Sequence, residues 1–174
     1  MVSRSRRLAL ASLFGALIFL VMGFVQAPTS DYLIIFEAFF LSLSYLVIEK
    51  GGATYVGIVA GLLITLAKPS FFPLDLVFAI LFGLMVDVLG ALFRAKQGTE
   101  AKTKRLVLVM TISTGFVGLL AYYITAVATN LVPNDFFLDL TVLLFGVASG
   151  AAGGYLGVRI WNRNLKALFK PETQ

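Results

Sequence analysis

Residues 74–93 read LDLVFAILFGLMVDVLGALF, and the basic residues Arg94 and Lys96 follow closely. Only Asp75 and Asp87 interrupt the apolar run. Its length matches the roughly 20 residues that an α-helix needs to cross the hydrocarbon core of a bilayer. A strand passing through lipid alternates polar and apolar side chains; this stretch does not, so it reads as a helix. Working outward, five further apolar runs cover residues 8–25, 32–48, 53–67, 106–129 and 136–161. The short separators between them carry Pro28, Gly51, Gly52, Pro69, Pro73 and Pro133, residues that end helices. The expectation is an all-α membrane protein, one compact bundle of six transmembrane helices spanning residues 1–174. The sixth run is long enough to tilt.

Composition agrees. Of 174 residues, 59% are hydrophobic and 13% charged, and mean hydropathy is +0.94. Soluble domains run about 45–50% apolar and about 25% charged, and a chain this short cannot hide such an excess from water. A soluble domain and a disordered chain are both excluded. Cysteine and histidine are absent, which removes disulfides, thiolate and imidazole metal sites and His- or Cys-based catalysis. No G-x-x-x-x-G-K-[ST] phosphate loop, G-x-S-x-G elbow or H-E-x-x-H helix occurs. No enzyme, metal or cofactor is expected, and no nucleic-acid partner. Intramembrane chemistry would rest on Asp75, Asp87 and Asp139.

Charge sets the orientation. With the N-terminus inside, every Lys and Arg except Lys68 falls on the cytoplasmic side, as the positive-inside rule requires. Both termini are then cytoplasmic, and so is the basic 94–105 loop. The net +5 divides into +9 inside and −4 outside. A basic start followed by Val25-Gln26-Ala27 also resembles a signal peptide, but the apolar stretch is longer than usual and Pro28 would follow the cut. It is read as a helix.

Topology does not demand the outer acidity, since acidic residues contribute little to orientation; it suits a cationic or amine-bearing solute. Asp31 and Asp135 fit solvated turns. Glu37 lies about five residues into the second helix, where a carboxylate faces the protein interior or a water-filled cavity; ligand contact, pairing with Lys68 and a backbone cap are all open. Asp75 opens the fourth helix, where the helix dipole favours it. Asp139, one turn into the sixth helix, is the better ligand candidate. Asp87, nearer the cytoplasm, suits pairing with a basic loop residue or helix packing.

Thr111, Gly115, Gly118, Tyr122, Thr125 and Thr129 share one face of the fifth helix. Its inner half is small and its outer half polar, with Tyr123 and Asn130 beside it. Gly146, Gly150, Gly153 and Gly157 continue the Asp139 face of the sixth helix, and Ala53, Gly57 and Gly61 are spaced by four on the third. Such ladders allow close helix approach. A tight inner half under a polar outer half describes a cup open to the outside, with Phe36, Phe71 and Phe72 at its mouth to stack on a ring or cation or to anchor at the interface. Ala9, Ala11, Ser12, Gly15 and Ala16 give the first helix a smooth surface, for a neighbouring helix of the same chain or for another subunit.

Six helices, about 170 residues and this small-residue first helix resemble the substrate-binding S component of an energy-coupling factor (ECF) transporter over residues 6–168. The family's first-helix A-x-x-x-A is matched here only by Ala11-x-x-x-Gly15 and Ser12-x-x-x-Ala16. Within the family, Phe36-Glu37-Ala38 followed by Val47-Ile48-Glu49-Lys50-Gly51-Gly52-Ala53 is most similar to the hydroxymethylpyrimidine/thiamine type, whose fourth helix carries an acidic residue near the position of Asp87. The resemblance implies a prokaryotic plasma-membrane protein that captures a vitamin-class solute, thiamine or its pyrimidine precursor, from outside. It implies docking through the first helix on a transmembrane T component with two ATPase subunits, whose ATP hydrolysis topples the S component inward. Residues 26–31 and 68–73 would close over the substrate. Two other classes stay open: a structural membrane subunit, such as the small six-helix component of a cell-shape complex, and a stand-alone secondary transporter or membrane enzyme.

Overall fold

The computed structural model describes residues 4–24, 33–48, 51–69, 72–98, 100–129 and 136–169. These residues form six α-helices: α1 (Arg4–Met22), α2 (Ile34–Ile48), α3 (Gly52–Ala67), α4 (Leu74–Leu92), α5 (Thr103–Thr129) and α6 (Phe136–Ile160). A π turn (Trp161–Leu165) and a 3₁₀ turn (Lys166–Phe169) continue α6. Three stretches are long and apolar enough to cross a membrane, Leu74–Leu92, Thr103–Thr125 and Phe137–Leu165. The apolar parts of α1, α2 and α3 are shorter: Leu8–Met22, Ile34–Ile48 and Gly52–Ala67.

The expected basic loop between the fourth and fifth runs is partly ordered as a two-stranded ribbon. Strand β1 (Lys96–Gln97) pairs antiparallel with β2 (Glu100–Ala101). Arg94 and Gly98 adopt positive φ, 49° and 60°, to turn the chain out of α4 and around the ribbon. The ribbon is tied to the C-terminal turns: Asn162 Nδ2 donates to the Ala101 carbonyl at 3.3 Å, and Lys166 Nζ donates to Glu100 Oε1 at 2.8 Å. This ammonium holds the exposed Glu100 carboxyl below its ordinary value near 4.5. A carboxyl lowered in this way favours the folded state above its unfolded pKa and loses that contribution as pH falls through the lowered value. The expected result of Lys166→Gln is return of the Glu100 titration to the ordinary range, read from its carboxyl ¹³C shift.

Helices pack through glycines and alanines, because with lipid outside there is little hydrophobic drive between helices and close backbone approach must supply the contact. The α3–α4 and α5–α6 pairs are the most extensive, followed by α1–α3 and α2–α6. Gly57 of α3 lies against the Ala79 carbonyl, and Gly83 of α4 against the Ala53 carbonyl, so backbone meets backbone in both directions. The single glycine ladder expected on the sixth helix divides over two faces. Gly146, Gly150 and Gly154 meet Met110 and Thr114 of α5, whereas Gly153 meets Ile35, Ala38 and Phe39, and Gly157 meets Ser42. Adjacent residues such as Gly153 and Gly154 lie about 100° apart around a helix of 3.6 residues per turn, so α6 serves two neighbours. Gly118, expected in the close-packed stripe of α5, has no atom within 4 Å of an added Cβ.

A large part of the core lies toward the ribbon end. Trp161, Leu106, Met110, Val109, Leu46, Ile48, Val86 and Val158 are all fully buried there or on the adjoining turns. Trp161 carries the Lys96 ammonium 5.0 Å from its ring centroid, and the same ammonium donates to the Leu46 carbonyl at 2.6 Å.

Candidate functional site

Three helices, α2, α4 and α6, each carry a carboxylate in the first turn: Glu37, Asp75 and Asp139. Such placement complements the positive end of the helix dipole. Because α2 begins at Ile34, Glu37 is its fourth residue, closer to the helix end than the expected start at 32 implied. Glu37 and Asp75 are both half-buried, α2 touches α4, and the two carboxylates lie within electrostatic range of each other. Lys68 is in turn close enough to act on Asp75, and its Nζ donates to the Met22 carbonyl at 3.0 Å. Among the described residues no hydrogen bond or ion pair holds Glu37. Phe36, 45% exposed, and Phe72, 63% exposed, stand at this same end.

The second group lies on α5 and α6. Tyr123 Oη donates to Asp139 Oδ2 at 2.6 Å, while Asp139 Oδ1 is buried with no hydrogen-bond partner among the described residues. Tyr122 meets Tyr123 edge-on, with centroids 5.7 Å apart. Tyr122 and Thr125 are half-buried and Tyr123 is exposed. Tyr123, read from sequence as a neighbour of the stripe, makes the direct contact to Asp139. Asn130 and Phe71 lie outside the described residues.

The expected single cup therefore becomes two groups. Gly153 of α6 packs against Ile35 and Ala38, on the turn that carries Glu37. Asp139 precedes Gly153 by 14 residues on the same helix, about 21 Å along the axis at roughly 1.5 Å per residue. Helical stripes gave each group its members, but the register of α2 along α6 separates them.

Comparison with known protein families, with characterised proteins and with solved structures finds no match.

Of the two roles expected for Asp87, pairing with a basic loop residue is not seen among the described residues, and Asp87 instead joins α4 to α3. Its Oδ2 accepts from the Thr54 backbone N–H at 2.7 Å and from Thr54 Oγ1 at 2.6 Å, and its Oδ1 accepts from the Ala53 N–H at 3.3 Å. Helix α3 opens after Gly51, at φ 75°, with no side-chain cap of its own, so its first N–H groups need an acceptor. The fourth helix supplies one. Thr54 was missed from sequence; the only sequence signal is a Gly-Gly-Ala-Thr helix start lacking a capping side chain at its head.

The first-helix set also divides. Ala11 and Gly15 are buried, with Gly15 against Val59 and Ala60 of α3. Ala9 and Ser12 are exposed and Ala16 is half-buried, on a face shared with Leu13 and Leu20.

Proposed function

We propose that the chain is a multi-pass membrane subunit that binds an amine-bearing or cationic organic micronutrient, and that it is the substrate-binding component of an ECF-type ABC importer. In this reading all six helices lie in the prokaryotic plasma membrane with both termini cytoplasmic, and the substrate is thiamine or its pyrimidine precursor. The chain is no enzyme; a T component and two ATPase subunits supply the work. The observation that carries the reading is the placement of Glu37 and Asp75 in the first turns of two contacting helices, α2 and α4, at one end of an apolar bundle. Two carboxylates so placed repel each other, and a bound cation relieves the repulsion. Polar groups kept within apolar spans generally mark substrate pathways. The exposed Phe36 and Phe72 suit stacking on a cationic ring, and the exposed face of α1, where the small Ala9 and Ser12 alternate with Leu13 and Leu20, is open to a partner helix.

The test is to purify the chain in detergent, denature it, identify any released small molecule by mass spectrometry, and titrate thiamine by calorimetry. Binding is expected to weaken at least about tenfold in Glu37→Gln and in Asp75→Asn, the loss of about 1.4 kcal/mol from one charged contact. Release of lipid alone, with no heat from thiamine or its pyrimidine, overturns the reading.

A further inference from the structure

The end of the bundle opposite Glu37 gathers positive charge from two distant segments. Arg94, Lys104 and Arg105 flank the β1–β2 ribbon on the α4 and α5 side, and Arg159 and Arg163 lie on the end of α6 and the turn after it, the segment whose Asn162 and Lys166 touch the ribbon; all five are exposed. The Asn162–Ala101 hydrogen bond and the Lys166–Glu100 pair fix the two segments together. Arg105 Nη1 donates to the Phe93 carbonyl at 3.2 Å, which ties the start of α5 to the end of α4. Among the described residues the acidic groups at this end are already engaged: Glu100 holds Lys166 and Asp87 caps α3. Among the described residues none of the five cations has an ion-pair partner.

Apolar side chains lie directly beside these cations. Leu92 precedes Arg94 by two residues. Leu108 follows Lys104 by one helical turn on the same face, and Tyr155 precedes Arg159 by one turn. Leu92, Leu108, Tyr155 and Leu156 are all exposed. A surface that is cationic at the helix ends and apolar one turn away matches a phosphate joined to acyl chains. An acidic protein segment would satisfy the cations and leave the apolar flank uncovered.

We propose that this face binds the headgroup of an anionic phospholipid, with its phosphate between the 94–105 and 159–163 segments and its chains along Leu108 and Tyr155. Basic pockets between membrane helices are suited to such headgroups. The inference needs the bundle to sit in a bilayer, but it does not depend on the identity of any transported solute.

The experiment uses the full chain in detergent micelles, where loss of positive charge cannot invert membrane topology. Phosphatidylglycerol and phosphatidylcholine are added and retention is read by native mass spectrometry. Phosphatidylglycerol is expected to be retained about tenfold better, with the preference shrinking severalfold in about 0.5 M salt as exposed charges are screened. Arg94→Gln/Arg105→Gln and, separately, Arg159→Gln/Arg163→Gln should each abolish the preference, while the corresponding Lys variants keep it. Thermal unfolding followed through Trp161, the sole tryptophan, identifies variants that fail to fold, and for those the Lys variants decide. Equal retention of the two lipids overturns the proposal. So does loss from only one of the two segments, or displacement of the lipid by inorganic phosphate at equal concentration.

Discussion

Replacing Asp87 by alanine should lower the stability of the bundle by about 2–3 kcal/mol. The carboxylate accepts three hydrogen bonds from the first turn of α3, and hydrogen bonds to charged groups contribute about 1.5–3 kcal/mol while helix caps contribute about 1. The gains overlap, because all three donors belong to one turn, so the sum is well below three separate bonds. Alanine leaves the Ala53 and Thr54 N–H groups without an acceptor in a half-buried setting, the expensive side of the asymmetry. Asp87→Asn should fall between wild type and alanine, since one amide oxygen can still accept while the amide nitrogen faces donors. Thr54→Val should cost less than Asp87→Ala, and the double variant should cost less than the two added, as expected for residues in one network. Denaturation in mixed micelles, followed through Trp161 emission, measures each value. An Asp87→Ala chain as stable as wild type would show that α3 obtains its cap elsewhere.

Gly83→Val should be comparably severe. A Cβ at Gly83 would collide with the Ala53 carbonyl and crowd the Thr54 Cα at 2.9 Å. Both are backbone atoms and cannot turn aside as a side chain would. Overpacking of this kind costs about 1–3 kcal/mol, occasionally more, and the added methyls of valine place the effect at the upper end. Separation of α3 from α4 at Gly83 also draws Thr54 away from Asp87, one helical turn along, so the two losses are coupled. Gly118→Ala is the matched comparison. Nothing lies within 4 Å of its added Cβ, and alanine favours a helix interior by roughly 0.5–1 kcal/mol over glycine, so this variant should be neutral or more stable. The same unfolding assay reads both, and equal losses at the two glycines would contradict the packing described.

The long spans were legible because a bilayer imposes a length and a hydropathy that a single stretch of sequence must meet alone. Residues 74–93 satisfy that condition without reference to any other part of the chain, and α4 ends within one residue of that reading. The carboxylates Glu37, Asp75 and Asp139 stood out for the same reason, as charges within apolar runs. The small-residue ladders announced close packing, yet not which helix each glycine would meet: Gly153 and Gly154, adjacent in sequence, face α2 and α5 respectively. Asp87 was legible as a charge needing a partner. That partner is a turn 33 residues away, and nothing in either segment names the other.

Sequence by itself determined that this chain is helical and apolar enough for lipid, where its helices begin and end to within a few residues, and which polar groups are too costly to be idle. Tertiary structure alone decided the groupings: Glu37 and Asp75 at the heads of two contacting helices, Tyr123 on Asp139 some 14 residues of α6 away from Gly153, Asp87 on the head of α3, and two basic segments joined at one ribbon. The reason is physical. Spanning a membrane is a constraint on each helix separately, whereas register and facing between helices are set by the fit of one small-residue surface against another, a property of the pair that neither helix carries alone.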